Sequence, residues 1–151
     1  MPTVSEPIRD KIPEYGSLLG LDYGRVRIGV AVSTPEQNLA VPLETWEPTG
    51  DKVQDALHLD QLIQDQLVVA LVVGLPLHAD GTVSELSLEA EAFAAWVREA
   101  TEKPVTFYDE RYTSRQAEEL LLSVDMSRKK RKARRDMIAA QIILQGYLDH
   151  G

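Results

Sequence analysis

The sequence contains no cysteine and only three histidines among its 151 residues. The lack of cysteine excludes disulfide bonds, thiolate metal sites and a cysteine nucleophile. No apolar run approaches the roughly 20 residues that are needed to cross a bilayer. The N-terminal residues 1–16 are polar and lack the apolar core of a signal peptide. These absences predict a cytoplasmic protein whose chemistry does not depend on thiols.

The length and composition indicate one globular domain with a full hydrophobic core. The hydrophobic fraction of 44% and the charged fraction of 26% are ordinary for a domain of this kind. We interpret residues 1–16 as a flexible N-terminal extension. Residues 17–151 are then expected to form a single α/β domain.

The net charge of −8 conceals a local concentration of positive charge. Seven of the 16 basic residues form a basic run within eight positions: Arg128, Lys129, Lys130, Arg131, Lys132, Arg134 and Arg135. The rest of the sequence contains nine basic residues and 24 acidic residues. Because nucleic acids respond to a local cationic surface more than to total charge, we expect the basic run to bind phosphates. The alternative is a solvated loop that leads into the last helix.

The hydrophobic pattern predicts five strands. Leu18–Tyr23 and Arg27–Ser33 form a hairpin that is closed by a short Gly-containing turn. Val41–Glu47 alternates as a third strand, and its proline places it at a sheet edge. Leu67–Gly74 is apolar throughout, which is typical of a central strand that is covered on both faces. Val105–Asp109 is the fifth strand.

Capping signals and apolar stripes predict four helices between and after the later strands. The first helix runs from the Asp51 cap to about Gln66, and the second from a Thr82–Glu85 capping box to about Glu102. The third starts at a Thr113–Gln116 capping box, and the fourth runs from about Asp136 to Leu148. The resulting order is β-β-β-α-β-α-β-α-α. This order predicts a mixed five-stranded sheet, in which a three-strand antiparallel meander is followed by parallel strands, with helices on both faces.

Three carboxylates are predicted to meet at one edge of this sheet. The first, fourth and fifth strands should be parallel neighbours, and open α/β sheets bind ligands at the C-terminal ends of such strands. Asp22 ends the first strand, Glu110 follows the fifth, and Asp136 heads the sheet-facing stripe of the last helix. Three acids at one point repel one another unless a cation neutralises them. Carboxylate oxygens suit Mg²⁺ or Mn²⁺.

Two such ions roughly 4 Å apart clamp the attacking and leaving oxygens of a phosphoryl displacement. This chemistry requires neither histidine nor cysteine. Asp109 is the alternative to Glu110 as a ligand, because successive strand residues face opposite sides. Glu110 is favoured because it shares a face with Thr106 and Tyr108. The structural alternatives are that Asp136 only favours a helix N-terminus and that Glu110 only forms an ion pair with a neighbouring arginine.

Four further arginines are candidate contacts for phosphates near this edge. Arg25 and Arg27 lie on the first hairpin, and Arg111 and Arg115 follow the fifth strand. The alternatives are a soluble sheet edge for the first pair and ion pairs with nearby glutamates for the second. The loop Gly74–Gly81 is a further candidate through its backbone amides near a helix N-terminus, or it is a plain connection.

Four sequence blocks resemble the bacterial YqgF family, also called RuvX. They are LGLDYGRVRIGVAVS, VVGLPLHADGT, DERYTSRQAEELL and DMIAAQIILQGYLD, and together they span about residues 17–149. The resemblance implies an RNase H-like, RuvC-like fold. It also implies that the metal-binding acids are Asp22, Glu110 and Asp136. The sequence departs from the family pattern at Thr34, His78-Ala79 and Tyr112, none of which is a predicted metal ligand.

Members of this family are described as Holliday junction resolvases or as nucleases that mature pre-16S ribosomal RNA. We therefore expect a metal-dependent nuclease that acts on structured nucleic acid, either branched DNA or precursor rRNA. Ribosomal particles are expected partners in the second case, and a homodimer is expected in the first, because a junction is resolved symmetrically by two active sites. The alternatives are a non-catalytic RNA- or ribosome-binding module and a phosphotransferase of the actin and sugar-kinase type, although the chain lacks the second lobe that the latter requires.

Overall fold

A computed structural model describes residues 8–76, 82–109 and 128–150, and it describes the side chains of the last helix from residue 134 onward. Five strands form one sheet in the order β3-β2-β1-β4-β5. Their bounds are β1 Ser17–Asp22, β2 Ile28–Ser33, β3 Ala40–Trp46, β4 Val68–Leu75 and β5 Val105–Asp109. Each predicted strand boundary lies within one residue of the observed one.

The strand directions confirm the predicted mixed sheet. β2 is antiparallel to β1 and to β3, whereas β1, β4 and β5 are parallel neighbours. β3 lies at the edge, as its proline predicted. At Pro42 the β2–β3 ladder shifts register between Val30 and Ala31, which is consistent with the missing backbone donor of proline.

Three helices are described: α1 Lys52–Gln66, α2 Glu85–Thr101 and α3 Arg128–His150. α1 begins at the predicted cap, where the Asp51 Oδ1 accepts the backbone N–H groups of the second and third residues that follow it, at 2.9 and 3.2 Å. The predicted helix from Thr113 lies outside the described residues. In the described part of the chain, no helix is long and apolar enough to cross a membrane.

The N-terminal cap of α2 differs from the prediction. The cap is Ser84 instead of Thr82, and its Oγ accepts the Ser87 backbone N–H at 3.0 Å, while the Ser87 Oγ accepts the Ser84 N–H at 2.8 Å. The Ser84 hydroxyl also donates to the Pro76 carbonyl oxygen at 2.6 Å. A serine therefore performs the role that the capping-box pattern gives to glutamate, and it ties the start of α2 to the end of β4.

α3 begins eight residues earlier than predicted, at Arg128 instead of Asp136. The backbone of the basic run is therefore helical, so the predicted start of the last helix is wrong, and so is the alternative of a solvated loop. Arginine and lysine have high helix propensities, and neither glycine nor proline interrupts residues 128–136. Asp136 consequently lies inside the helix and does not cap it.

The sheet separates two hydrophobic cores. Leu19 and Leu21 of β1 face a core that α1 and α2 cover, whereas Leu18 faces the core that α3 covers. In α1, only its later apolar residues are buried, since Val53 and Leu57 are mostly exposed. The apolar spacing of the sequence predicts a buried side of α1 that consists of Val53, Ala56, Leu57, Leu59, Leu62 and Ile63, and this prediction is wrong for Val53 and Leu57. The prediction of helices on both faces of the sheet is confirmed.

The segment before β1 contacts the sheet. Arg9 forms an antiparallel bridge with Thr106 of β5. The Asp10 carboxylate accepts the Val105 backbone N–H at 3.0 Å and binds Arg98 at 2.8 Å. Residues 8–16 thus lie against the domain and do not extend from it as predicted, and residues 1–7 lie outside the described residues.

Candidate functional site

Asp22 lies at the C-terminal end of β1, where the ends of three parallel strands meet. Leu21 pairs with Val73 of β4, and β4 continues to Leu75, which pairs with Asp109 at the end of β5. This is the sheet edge at which the predicted acids were expected. Asp22 is partly exposed there and pairs with Gly29 of the antiparallel neighbour β2.

The side chain of Asp22 belongs to the face of the sheet that α3 covers. Leu18 is buried in the α3 core. A Cβ atom on Gly20 would lie 2.8 Å from the Cβ of Leu144 in α3. Because alternate strand residues share a face, Asp22 follows Leu18 and Gly20 on the α3 side.

Gly29 brings the backbone of α3 down onto the sheet at Asp136. A Cβ atom at Gly29 would lie 1.8 Å from the Asp136 carbonyl oxygen and 3.0 Å from the Met137 nitrogen. Only a residue without a side chain permits this approach. Since Gly29 is the pairing partner of Asp22, the α3 backbone at Asp136 lies over the strand position next to Asp22, on the face to which Asp22 belongs.

The Asp136 carboxylate is held by Arg27. The Arg27 Nε donates to the Asp136 Oδ2 at 2.9 Å, and the two side chains are 32% and 21% exposed. This hydrogen bond is the main reason why the pKa of Arg27 is raised above its ordinary value. Sequence reasoning offered a phosphate contact or a soluble edge for Arg27 and missed this ion pair. Alternation was the available signal, because Arg27 lies two residues before Gly29.

The faces of β5 bear on the choice between Asp109 and Glu110. Val105 and Phe107 contact the core under α1 and α2. Tyr108 instead contacts α3, since a Cβ atom on Gly146 would lie 2.7 Å from its ring. Asp109 continues the face that is opposite to Asp22. Glu110 lies outside the described residues, so its place in the centre stays a prediction.

Two of the three predicted acids are therefore described, and they lie at one edge. Across residues 8–76, 82–109 and 128–150, no group of three histidine, aspartate or glutamate side chains is arranged to hold a metal ion. The chemistry of the donors present, two carboxylates on one face, fits a hard divalent cation. A third carboxylate ligand would have to come from outside the described residues.

Arg25 lies in the same turn as Arg27 but contacts the opposite side of the sheet. Its Nε and Nη2 donate to the Glu89 carboxylate of α2 at distances from 2.6 to 3.1 Å. These hydrogen bonds raise the pKa of Arg25 and lower the pKa of Glu89. Burial, followed by the charge of Glu89, raises the pKa of Tyr23. The structure thus separates the two hairpin arginines, and the phosphate contact of Arg25 stays a prediction.

Most of the other predicted nucleic-acid contacts lie outside the described residues. These are Arg111, Arg115, the greater part of the Gly74–Gly81 loop with His78, and the side chains of Arg128, Lys129, Lys130, Arg131 and Lys132. Arg134 is exposed and Arg135 is partly exposed on α3. The last two residues place the end of the basic run at the surface, one turn or less from Asp136.

A family model matches residues 16–150, nearly the whole chain, and describes its family as "RuvX: Holliday junction resolvase". The chain belongs to the RuvX family. This finding confirms the resemblance that the four sequence blocks indicated.

Relatives and one solved structure agree with membership of the RuvX family. A Rhodopirellula baltica protein is 41% identical over 149 residues, which cover 99% of this chain and 86% of the relative. A Syntrophomonas wolfei protein is 44% identical over 134 residues, which cover 89% and 94%. Both carry the name "Putative pre-16S rRNA nuclease".

The T. thermophilus RuvC protein, solved with a Holliday junction substrate, superimposes with a TM-score of 0.55 at 17% identity. The superposition covers 89% of this chain and 94% of that one. At this identity the likeness concerns the fold alone. The RuvC-like fold that the resemblance implied is therefore confirmed for this member of the RuvX family.

Proposed function

We propose that this protein is a metal-dependent nuclease that hydrolyses phosphodiester bonds in structured nucleic acid. The observation that supports the proposal is the close approach of the α3 backbone at Asp136 to Gly29, which is the strand partner of Asp22 at the C-terminal strand edge. Membership of a family described as Holliday junction resolvases supports the same activity.

Asp22, Asp136 and Glu110 would hold Mg²⁺ or Mn²⁺, as a pair of ions. When bound, such ions polarise the phosphodiester and neutralise the charge that develops on the leaving oxygen. The carboxylates of Asp22 and Asp136 supply the hard oxygen donors that these ions prefer. Gly29 contributes by having no side chain, because any larger residue would lift Asp136 away from Asp22.

The basic run would bind the phosphates of the same substrate. It occupies the first two turns of α3, and Asp136 follows on the same helix. Eight residues of helix rise about 12 Å, so phosphate contacts along α3 would be held at a fixed distance from the cluster of acids. A rigid link of this kind favours a substrate whose backbone passes the centre in a defined direction.

Two substrate classes are supported by the comparisons, and both are structured polyanions. The family description and the RuvC likeness favour four-way junction DNA. The names of the curated relatives favour precursor 16S rRNA. A homodimer would accompany the first substrate, and a ribosomal particle would accompany the second.

A side-by-side cleavage assay tests the proposal. Four-way junction DNA, linear duplex DNA and precursor 16S rRNA are each incubated with the protein in Mg²⁺, in Mn²⁺ and in EDTA. We expect cleavage of at least one structured substrate in the presence of a metal ion, weaker cleavage of linear duplex, and no cleavage in EDTA. Binding of all substrates with no cleavage under any condition would instead favour a non-catalytic RNA-binding module.

A further inference from the structure

Asp136 already has a cationic partner within the protein. The Arg27 Nε lies 2.9 Å from its Oδ2, and the two side chains are partly shielded from solvent, at 32% and 21% exposure. Shielded pairs are screened less by salt than pairs on the open surface. Arg27 is fixed at this place because it directly precedes β2 and shares the face of Gly29, on which α3 rests.

A guanidinium on Oδ2 disfavours a divalent cation at the same carboxylate, because both charges are positive and one of the two carboxylate oxygens is already occupied. We propose that Arg27 is an internal counter-ion that a divalent cation must displace from Asp136. The inference rests on the proposed function, because it takes Asp136 to be a metal ligand. Arg27 thereby lowers the affinity for the metal and keeps the carboxylate in position before the metal binds.

This role has two consequences at the strand edge. Without a metal ion, Asp22 and Asp136 are like charges on one face, and Arg27 offsets their repulsion. After displacement, the guanidinium is still tethered beside β2 at the same edge. Its planar set of N–H donors suits a phosphate, so the residue released by the metal becomes available to the substrate.

The chain offers a matched control in Arg25. It lies two residues earlier in the same turn and carries the same charge, but its guanidinium binds Glu89 of α2 on the other side of the sheet. A change of Arg25 to glutamine alters the net charge as a change of Arg27 does. Only the change at Arg27 removes a competitor from Asp136.

The test measures Mn²⁺ binding by calorimetry in the absence of nucleic acid, for the wild type, Arg27→Gln and Arg25→Gln. We expect Arg27→Gln to bind Mn²⁺ roughly fivefold more tightly, as loss of one partly exposed ion pair implies. Arg25→Gln should stay within about twofold of the wild type, because it acts only through screened charge. The melting temperature of Arg27→Gln should also rise more on addition of Mn²⁺.

Unchanged or weaker Mn²⁺ binding by Arg27→Gln would overturn the proposal. Equal tightening of Mn²⁺ binding by Arg25→Gln would also overturn it, because the effect would then come from the net charge and not from displacement of Arg27. If Arg27→Gln does not fold, Arg27→Met keeps the aliphatic stem and should show the same tightening. Absence of Mn²⁺ binding in the wild type itself would instead contradict the proposed metal centre.

Discussion

Side-chain alternation decides which acids reach the candidate centre. In β1, Asp22 follows two residues that contact α3 or its core. In β5, Asp109 follows Phe107 on the opposite face, whereas Tyr108 contacts α3. If this alternation continues for one more residue, the side chain of Glu110 belongs to the same face of the sheet as Asp22.

This alternation predicts that Glu110→Gln abolishes cleavage, whereas Asp109→Asn retains most of it. Both substitutions remove one charge and keep the shape of the side chain, so they form a matched pair one residue apart. Initial cleavage rates at saturating substrate and Mn²⁺ provide the measurement. The opposite ranking would show that Asp109 is the ligand and that the chain after β5 turns differently.

The ion pair of Arg27 with Asp136 illustrates what sequence reasoning did not reach. The two residues are separated by 109 positions, and no local pattern connects positions so far apart. The predicted strands did indicate which residues share a face, but only the path of α3 across Gly29 shows which acid Arg27 meets. The acid at position 136 was predicted correctly to lie near the sheet, and its internal partner was not.

At the scale of elements, the contact between β2 and α3 positions the site. A methyl group at Gly29 would collide with the helix backbone at Asp136, whereas one at Gly20 would first meet the Leu144 side chain, at 2.8 Å. The helix backbone at Asp136 cannot move away from the added methyl group by a bond rotation, as a side chain can. The whole of α3 would therefore have to move.

Gly29→Ala should consequently lower the free energy of unfolding by roughly 3 kcal/mol, at the upper end of the usual cost of overpacking. It should also reduce Mn²⁺ affinity in the fraction that folds, because Asp136 moves away from Asp22. Urea denaturation and calorimetry provide the measurements. Gly20→Ala is the control and should lose less stability, and an equal loss in both variants would contradict a special contact at Gly29.

The basic run is the proposed phosphate-binding element of α3. Changing Lys129, Lys130 and Lys132 together to alanine should weaken nucleic-acid binding similarly for all sequences, since phosphate contacts position a substrate without reading its bases. Each lost contact should reduce the slope of log affinity against log salt by roughly 0.7 to 0.9. Alanine maintains helix propensity, so α3 should remain intact, as circular dichroism will show.

The control for this triple variant removes the three lysines that lie elsewhere, Lys11, Lys52 and Lys103. It changes the net charge by the same amount and should leave the salt slope almost unchanged. If both triple variants reduce the slope equally, the basic run has no special role. The polyanion would then have to bind elsewhere, first at Arg25, Arg27 and Arg111.

The boundaries of the helices were the least predictable features of the fold. The strands were predicted within one residue because apolar runs and alternation are strong local signals. The start of α3 was misplaced because a dense run of basic residues is also compatible with a solvated loop, although the helix propensities of arginine and lysine favour the helix that is observed. The cap at Ser84 was missed because a serine replaces the expected glutamate at the third position.

For the whole molecule, charge and topology restrict how a nucleic acid approaches. Outside the basic run, nine basic residues stand against 24 acidic ones, so most of the chain repels a polyanion. The basic run and Asp136 lie on one helix, and that helix crosses the sheet at the strand edge that carries Asp22. Under the proposed function, attraction at the basic run would deliver the substrate to the acids.

The most direct test of the central claim is the rate at which Asp22→Asn cleaves the structured substrate that the wild type prefers, in saturating Mn²⁺. The amide has the same shape but no charge to hold a cation, so we expect no detectable cleavage from a variant that has native circular dichroism and melts cooperatively. Cleavage by Asp22→Asn at the wild-type rate would contradict the account, because the first carboxylate of the proposed centre would then have no part in the reaction.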